Sequence, residues 1–265
     1  MPSTQPVVLC DLDGVVWLGG EALPGAAEAV RRLRAAGAVA FLTNNSSQPV
    51  AGYVRALERV GIDAAAAEVA TSAQAAAGFL AGVLAPGARV LACAGEGVAE
   101  ALSGHGFGVV AGGDCDAVVV GWHRHFDFDR LAAAAAAVRA GARFVATNLD
   151  PTYPAPDGLL PGNGALVAAV ATAAGRQPEV AGKPYPPTVA MVRARFGDKG
   201  IVVGDRPSTD GALAHALGWP FALVVSEATR SADESAAAPA DHVGPSLLAL
   251  TDVIAGVLRR GDKTH

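Results

Sequence analysis

Val7-Val8-Leu9-Cys10 runs directly into Asp11-Leu12-Asp13-Gly14 near the start of this 265-residue chain. The apolar run predicts a buried strand, and the acidic segment follows it without a linker. The same arrangement recurs at Val39-Ala40-Phe41-Leu42-Thr43-Asn44-Asn45 and at Ile201-Val202-Val203-Gly204-Asp205. Three apolar strands that end on polar residues therefore decide both the predicted fold and the predicted position of the functional site.

Alanine-rich, amphipathic stretches of helical length lie between the predicted strands. Pro24 and Gly37 bracket the first, in which Val30 and Leu33 are spaced for one apolar face. A strand, about a dozen helical residues and a second strand form the βαβ pattern of a parallel sheet with right-handed crossovers. We therefore predict an α/β fold with a doubly wound, Rossmann-like parallel sheet. The predicted strands are 7–10, 39–42, 89–91, 117–120, 144–146, 201–203 and 221–225, and further helices are predicted at 49–60, 72–84, 97–104, 129–140, 163–174 and 186–196.

Two turn-forming segments mark candidate domain boundaries. Ala85-Pro86-Gly87 and Gly175-Arg176-Gln177-Pro178 each follow a predicted helix. They predict that residues 83–179 are inserted into a core that residues 1–82 and 180–265 form together. The chain would then have two domains, of which the core is built from two separate segments.

Composition and charge narrow the classes of function. With 51% hydrophobic and 17% charged residues, the chain can bury a substantial core, which excludes wholesale disorder. The net charge of −5 argues against a nucleic-acid-binding surface. No apolar stretch reaches the roughly 18 residues that a membrane-spanning helix needs. Because no secretory signal is visible, we expect a cytoplasmic protein, with Cys10, Cys93 and Cys115 as reduced cysteines in apolar runs.

The acidic residues at the strand ends are expected to converge. Carboxyl ends of parallel strands meet at one edge of an open sheet, where ligands bind. Asp11, Asp13, Asp205 and Asp210 would therefore lie within a small volume. Like charges so close together need a cation or a proton, and ligands that are all oxygen select a hard cation such as Mg²⁺.

A hydroxyl and an ammonium group near such a site would suit a phosphate dianion. Thr43 and Lys183, the latter in Gly182-Lys183-Pro184, are the candidates. Each motif alone has an ordinary structural alternative. An Asp-x-Asp-Gly segment is most often a turn or a helix cap, Thr43-Asn44 an N-cap, and a lysine before proline a solvated surface residue. Their joint occurrence, in this order and at strand ends, favours a phosphate site.

At this point the sequence resembles a known family. Four segments resemble the four motifs of the haloacid dehalogenase (HAD) superfamily: Asp11-Leu12-Asp13-Gly14, Thr43-Asn44-Asn45, Gly182-Lys183-Pro184 and Gly204-Asp205-Arg206-Pro207-Ser208-Thr209-Asp210. Three more resemble its NagD-like and 4-nitrophenylphosphatase-like branch: Val16-Trp17-Leu18-Gly19, Asp157-Gly158 and Pro161-Gly162-Asn163-Gly164-Ala165. The resemblance runs from residue 7 to about 225. It implies an HAD core with an inserted α/β cap domain and a Mg²⁺-dependent phosphomonoesterase.

The resemblance also implies a role for each matching residue. Asp11 would attack phosphorus to form an aspartyl-phosphate. Asp13 would protonate the leaving alcohol and then deprotonate the attacking water, which requires a carboxyl that is protonated at the start. The implied metal ligands are Asp11, the main-chain carbonyl of Asp13, and Asp205. The implied phosphate ligands are Thr43, the backbone of Asn44, and Lys183.

Six further residues are candidates for the surroundings of the site. Asp210 would orient Lys183 or the metal-bound waters, while Ser208 stands where the branch usually has a carboxylate or Asn and leaves the secondary metal contacts open. Four residues are candidates for substrate contact: Trp17, His123, Asn148 and Asp150. Trp17 would line the entrance, with ordinary aromatic packing as an equal alternative. His123 stands where the resembling segment often has an acidic residue, so we expect a different leaving-group preference.

Three functions remain open at this level. The favoured one is hydrolysis of small phosphorylated metabolites, such as glycerol phosphate, phosphoglycolate or a sugar phosphate. A dehalogenase or phosphomutase on the same scaffold is the second, although Asp13 argues against the former and the strand-rich insert against the latter. A non-catalytic metabolite-binding module is the third. We expect no nucleic-acid or membrane partner, and caps in the resembling proteins often carry a homodimer contact.

Overall fold

The structure, a computed structural model, describes residues 5–155, 158–225 and 239–261. The strands in this part of the chain are β1 (Val7–Cys10), β2 (Trp17–Leu18), β3 (Glu21–Ala22), β4 (Ala38–Thr43), β5 (Val69–Thr71), β6 (Arg89–Cys93), β7 (Gly108–Val110), β8 (Ala117–Val120), β9 (Arg143–Ala146), β10 (Thr152–Ala155), β11 (Gly158–Pro161), β12 (Glu179–Val180), β13 (Gly200–Gly204), β14 (Phe221–Val224) and β15 (His242–Gly244). The α-helices are α1 (Ala26–Arg34), α2 (Val50–Arg59), α3 (Ser72–Ala81), α4 (Glu96–Gly104), α5 (Phe128–Arg139), α6 (Asn163–Ala174), α7 (Pro186–Phe196), α8 (Ala212–Leu217) and α9 (Leu247–Gly261). Ala66–Glu68 forms a short 3₁₀ helix and Pro207–Gly211 a single π-helical turn.

The chain divides into two compact units. The first comprises Met1–Thr43, Val54–Ala70 and Val189–His265, and the second comprises Asn44–Tyr53 and Thr71–Thr188. The second unit therefore takes in more of the chain than the insert predicted at residues 83–179. The boundaries of that insert stay a prediction.

The first unit is built on a six-stranded sheet with the order β15-β14-β13-β1-β4-β5. The chain moves outward from β1 to β4 and β5, and then returns to continue through β13, β14 and β15 on the other side. The pairings of β1 with β4 and with β13 are both parallel, and Cys10 lies opposite Val203. This is the predicted doubly wound order, and its direction changes between β1 and β13. Ligands of such sheets bind outside the carboxyl ends of the strands at that switch point.

Burial explains why these residues form the centre of the sheet. All four residues of β1 are buried, as are four of the five in β13, so both strands read as continuous apolar runs. Helix α1 buries Val30 and Leu33, the two residues predicted to form its apolar face. Polar side chains can therefore emerge only where the strands end. That constraint brings Asp11 and Asp205 to the same edge of the sheet.

The second unit contains a five-stranded sheet with the order β12-β9-β8-β6-β7, in which all the pairings are parallel. Helices α5 and α6 contribute alanine and valine side chains to its core, among them Ala134, Ala135, Val167 and Val170. Small residues on both helices let them lie close to the sheet and to each other. The antiparallel hairpin of β10 and β11 precedes α6.

Within the residues that the structure describes, no helix is both long enough and apolar enough to cross a membrane.

Candidate active site

Three carboxylates meet at the switch point of the first unit. Asp11 directly follows β1, Asp205 directly follows β13, and Asp210 belongs to the π-helical turn after it. One carboxylate oxygen from each residue lies within 4.8 Å of those of the other two. Asp11 is 9% exposed and Asp210 only 1%. Three of the four acidic residues predicted to converge therefore do so, and Asp13 is not part of this group.

Two glycines make room for this cluster. A Cβ atom on Gly204 would lie 2.2 Å from Cγ of Asp210, and one on Gly14 would lie 2.2 Å from Oδ2 of Asp205. Gly14 also has a φ of 80°, which disfavours a side chain. The backbone N–H of Arg206 donates to Oδ2 of Asp210 over 3.2 Å. The acidic side chains are therefore held against backbone that carries no side chain of its own.

The donor set of this cluster fits Mg²⁺. Three buried or half-buried carboxylates so close together repel one another unless a cation neutralises them. The cluster holds oxygen donors alone, the ligand type that Mg²⁺ prefers over softer metals. Asp210, expected to act on the metal waters or Lys183, has its carboxylate inside the cluster itself. Coordination by the main-chain carbonyl of Asp13 stays a prediction.

Asp13 is bound to Trp17. The indole Nε1–H of Trp17 donates to Oδ1 of Asp13 over 3.1 Å. Trp17 is 5% exposed, so its ring is packed inside the first unit. The alternative of ordinary aromatic packing is therefore supported for Trp17, and a substrate contact by this residue stays a prediction.

In the second unit, the side chain of Asn44 is hydrogen-bonded to the backbone N–H and the backbone carbonyl of Lys183. Oδ1 of Asn44 accepts the backbone N–H of Lys183 over 2.8 Å, and Nδ2 donates to the Lys183 carbonyl over 3.3 Å. Lys183 is 4% exposed. Thr43 ends β4 and is 1% exposed. The residues predicted to bind phosphate are thus buried, and two of them are hydrogen-bonded to each other.

Asn148 and Asp150 also contact Asn44. Nδ2 of Asn148 donates to the Asn44 carbonyl over 2.7 Å, and Nδ2 of Asn44 donates to Oδ2 of Asp150 over 3.2 Å. The backbone N–H of Asp150 donates to Oδ1 of Asn148 over 3.0 Å. These bonds give both residues a role in holding Asn44. Their predicted contact with substrate is a separate matter and stays a prediction.

The network includes residues that the sequence reasoning missed. Oγ of Ser72 donates to the Asn44 carbonyl over 2.5 Å, and Nδ2 of Asn163 donates to the Asn148 carbonyl over 2.8 Å. Oγ of Ser46 and Oγ1 of Thr147 form a hydrogen bond of 2.9 Å. Asn163 lies in a segment that the resemblance singled out, which was a usable signal. Ser72 and Thr147 gave none, since serine and threonine occur at helix starts and strand ends everywhere.

The two remaining predicted residues are His123 and Ser208. His123 is 8% exposed, with its ring edge against Phe126 at a centroid distance of 5.9 Å. Burial, together with the charge of Arg130, lowers the pKa of His123, and its Nε2 has no hydrogen-bond partner among the described residues. Ser208 is exposed on the π-helical turn. Asp157, quoted for the resemblance, lies outside the described residues.

The three cysteines are free thiols. Cys10 and Cys93 are buried, and burial raises the pKa of the Cys93 thiol to about 11. Burial also raises the pKa of Cys115. A raised pKa disfavours the thiolate, so neither Cys93 nor Cys115 is an activated nucleophile.

Family models and relatives agree on the class of protein. The model described as haloacid dehalogenase-like hydrolase matches residues 8–108, and a HAD-hydrolase-like model matches residues 180–250. An acid sugar phosphatase of Staphylococcus aureus is 37% identical over 208 residues, which span 76% of this chain and 79% of the relative. The chain belongs to the haloacid dehalogenase-like hydrolase family, and the resemblance seen in its motifs is confirmed.

Two further comparisons involve Mycobacterium tuberculosis. Its D-glycerol 3-phosphate phosphatase is 42% identical over 236 residues, which cover 88% of this chain and 66% of the relative, just under two thirds of that protein's length. A crystal structure of its glycerol phosphate phosphatase in complex with magnesium has a TM-score of 0.85 and 39% identity, and covers 94% of this chain and 78% of that one. The fold prediction is thereby confirmed.

Proposed function

We propose that this chain is a Mg²⁺-dependent phosphomonoesterase that hydrolyses small phosphorylated metabolites of the glycerol phosphate or sugar phosphate type. The observation that carries the proposal is the cluster of Asp11, Asp205 and Asp210 at the switch point of the sheet. The names of the two relatives support the substrate class. Phosphoglycolate fits the same chemistry and remains within the class.

In the first half of the reaction, Asp11 is the nucleophile. A carboxylate oxygen of Asp11 attacks phosphorus, and the bond from phosphorus to the ester oxygen breaks. The carboxyl proton of Asp13 passes to the departing oxygen, so that a neutral alcohol leaves. The products of this step are the alcohol and an aspartyl-phosphate on Asp11.

In the second half, Asp13 works as a base. Its carboxylate takes a proton from a water molecule as the water oxygen attacks phosphorus. The bond from phosphorus to the Asp11 oxygen breaks, which frees the Asp11 carboxylate and releases inorganic phosphate. Asp13 is again protonated, so the enzyme returns to its starting state.

The remaining motif residues would hold the charged groups. Asp11, Asp205 and Asp210 would hold Mg²⁺, which when bound supplies a positive charge that offsets the negative charge of the phosphoryl group. By resemblance, we assign the phosphoryl oxygens to the hydroxyl of Thr43, the backbone N–H of Asn44 and the ammonium of Lys183. A buried ammonium is a strong partner for a dianion because little water competes with it.

The insert at residues 83–179 is proposed as the cap of the resembling proteins, which shields the leaving group from water. Its α/β architecture and five-stranded parallel sheet support this assignment. We also propose a cytoplasmic enzyme, since three free cysteines suit a reducing compartment. A metabolite is its partner in this proposal, with no nucleic acid or membrane, and a homodimer contact through the cap follows from the resemblance alone.

A phosphate-release assay tests the proposal. With p-nitrophenyl phosphate, Asp11→Asn should lower kcat about a thousandfold or more while the circular dichroism spectrum is unchanged. The native enzyme should lose activity in EDTA and regain it on addition of Mg²⁺. Asp252→Asn, an exposed change on α9, is the matched control and should behave like the native chain. Ranking glycerol phosphate, phosphoglycolate and sugar phosphates by kcat/KM would then identify the substrate.

Full activity in Asp11→Asn would remove the nucleophile from the proposal. Indifference to EDTA would favour the dehalogenase alternative, since dehalogenation, unlike phosphoryl transfer, has no phosphate dianion to neutralise.

A further inference from the structure

We propose that Trp17 is a positioning residue that holds the carboxyl group of Asp13 in the orientation needed for proton transfer to the leaving group. The inference rests on the proposed function, because it assumes that Asp13 is the general acid. It assigns to Trp17 a role different from lining the entrance to the site.

The side chain of Trp17 supplies the first observation. Its Nε1–H donates to Oδ1 of Asp13 over 3.1 Å, and the ring is 5% exposed. An indole has a single polar group, its N–H, and in Trp17 this group donates a hydrogen bond to the carboxyl group of Asp13. Because the packed ring cannot swing away, the direction of the N–H is fixed. The bond therefore restricts rotation of the Asp13 carboxyl.

The backbone supplies a second, independent observation. The N–H of Trp17 donates to the carbonyl of Leu12 over 3.1 Å, and the N–H of Gly14 donates to the carbonyl of Trp17 over 2.7 Å. Trp17 is thus bonded to the residues on both sides of Asp13. A tight loop from Leu12 to Trp17 results, and it continues into the hairpin in which Trp17 lies opposite Ala22. Main chain and side chain of Trp17 therefore act together on one carboxylic acid.

Orientation of an acid matters most for poor leaving groups. An alkoxide leaves only if it receives a proton as the bond to phosphorus breaks, whereas p-nitrophenolate leaves readily without one. Loss of the Trp17 bond would let the Asp13 carboxyl sample unproductive orientations. The rate with an alkyl ester should then fall more than the rate with an aryl ester. A loss of structural integrity would lower both rates by the same factor.

The test compares Trp17→Phe with the native enzyme, using glycerol 3-phosphate and p-nitrophenyl phosphate. The value of kcat/KM reports the steps up to the first loss of product, which include the protonation by Asp13. We expect the ratio of aryl to alkyl kcat/KM to rise about tenfold in Trp17→Phe. It should rise about a hundredfold or more in Asp13→Ala, which lacks the acid altogether.

Trp219→Phe is the matched control. Trp219 is also buried in the first unit, at 6% exposure, and its Nε1–H donates to the carbonyl of Asp198 at the amino end of β13. The ratio should be that of the native enzyme in this variant. An unchanged ratio in Trp17→Phe beside a raised one in Asp13→Ala overturns the inference alone. An unchanged ratio in Asp13→Ala overturns the role of Asp13, and the inference with it.

Nuclear magnetic resonance keeps the inference testable if Trp17→Phe does not fold. The chain has three tryptophans, so three indole N–H signals are expected. In Asp13→Ala, the Trp17 signal should shift and its hydrogen exchange should accelerate, while the signals of Trp122 and Trp219 stay in place. A Trp17 signal that does not respond to Asp13→Ala would overturn the inference, whatever the kinetics show.

Discussion

Among single residues, Asn44 carries an unusual share of the hydrogen bonds around the candidate site. Its side chain accepts a hydrogen bond from the backbone N–H of Lys183 and donates to the backbone carbonyl of Lys183 and to the carboxylate of Asp150. Its own carbonyl accepts from Ser72 and Asn148. Because Asn44 is only 8% exposed, water cannot replace a bond that is lost. Such a fully used amide is costly to change.

Replacing Asn44 by Asp tests this hydrogen-bond network, because the change turns a donor into an acceptor. In Asn44→Asp, the donor at Nδ2 becomes a second carboxylate oxygen that faces Asp150, so we expect a loss of about 2–4 kcal/mol in the free energy of unfolding. Adding Asp150→Asn restores one donor and removes one charge, and should recover about 1 kcal/mol relative to additivity. Urea unfolding of the two single variants and the double variant measures this coupling.

Asp114→Asn is the control for Asp150→Asn, because it removes one negative charge at an exposed position of the second unit. It should change the free energy of unfolding by no more than about 0.5 kcal/mol. Strict additivity of Asn44→Asp and Asp150→Asn would show that the two side chains do not interact.

At the scale of elements, the glycines Gly95, Gly97 and Gly121 have a packing role. They stand at the carboxyl ends of β6 and β8, where the direction of the second sheet changes. A Cβ atom on Gly97 would lie 2.1 Å from the carbonyl oxygen of Gln48, and one on Gly95 would lie 2.5 Å from that of Ser47. The crevice that often binds a ligand in such sheets is filled here by the chain itself. The Gly95-Glu96-Gly97 sequence is therefore explained by close backbone approach.

Helix α4 offers a comparison within one element. Gly97→Ala should lower the free energy of unfolding by about 1–3 kcal/mol, since backbone has to move to admit the methyl group. Gly104→Ala, at the other end of α4, meets nothing within 4 Å and should raise it by up to about 1 kcal/mol through helix propensity. Thermal and urea unfolding of the two variants measure both effects. Equal effects of the two alanines would mean that Gly97 does not approach Gln48.

Many elements longer than three residues were predicted, because their periodicity survives in the sequence, but β10, β11, α8 and the 15-residue helix α9 were not. The strand 117–120 and the helices 163–174 and 186–196 match their observed bounds. The short strands β2, β3 and β12 could not be predicted, since two residues carry no period. Strands β2 and β3 pair with each other, and β12 pairs with β9.

The candidate site was predictable where it follows from strand ends. Asp11 and Asp205 were placed together by the rule that parallel strands share a carboxyl edge, and the structure has them so. The hydrogen bond from Trp17 to Asp13 was not predicted. It depends on a turn from Leu12 to Trp17 whose backbone hydrogen bonds cannot be deduced from the sequence. Ser72 and Thr147 were missed for the same reason, since a hydroxyl reveals its partner only in three dimensions.

For the molecule as a whole, the acidic cluster links stability to metal. A cation that binds these three carboxylates in the folded chain, and not in the unfolded chain, would stabilise the folded state. Mg²⁺ at about 100 times its Kd would add about 2.7 kcal/mol. Under the proposed function, the first unit would gain stability as well as chemistry from Mg²⁺.

The variant Asp205→Asn tests whether Asp205 holds the Mg²⁺ ion. On addition of Mg²⁺ the native chain should gain several degrees and the variant much less. Differential scanning fluorimetry with Asp252→Asn as the control measures both changes. A variant with the native Mg²⁺ response would show that Asp205 does not hold the ion.

The two hydrogen bonds that join the side chain of Asn44 to the N–H and the carbonyl of residue 183 are made to main-chain atoms. These two bonds do not depend on which side chain residue 183 carries. Variants at position 183 should thus retain both bonds while the charge of the side chain changes. The backbone position of this segment and the charge that it carries can therefore be varied independently.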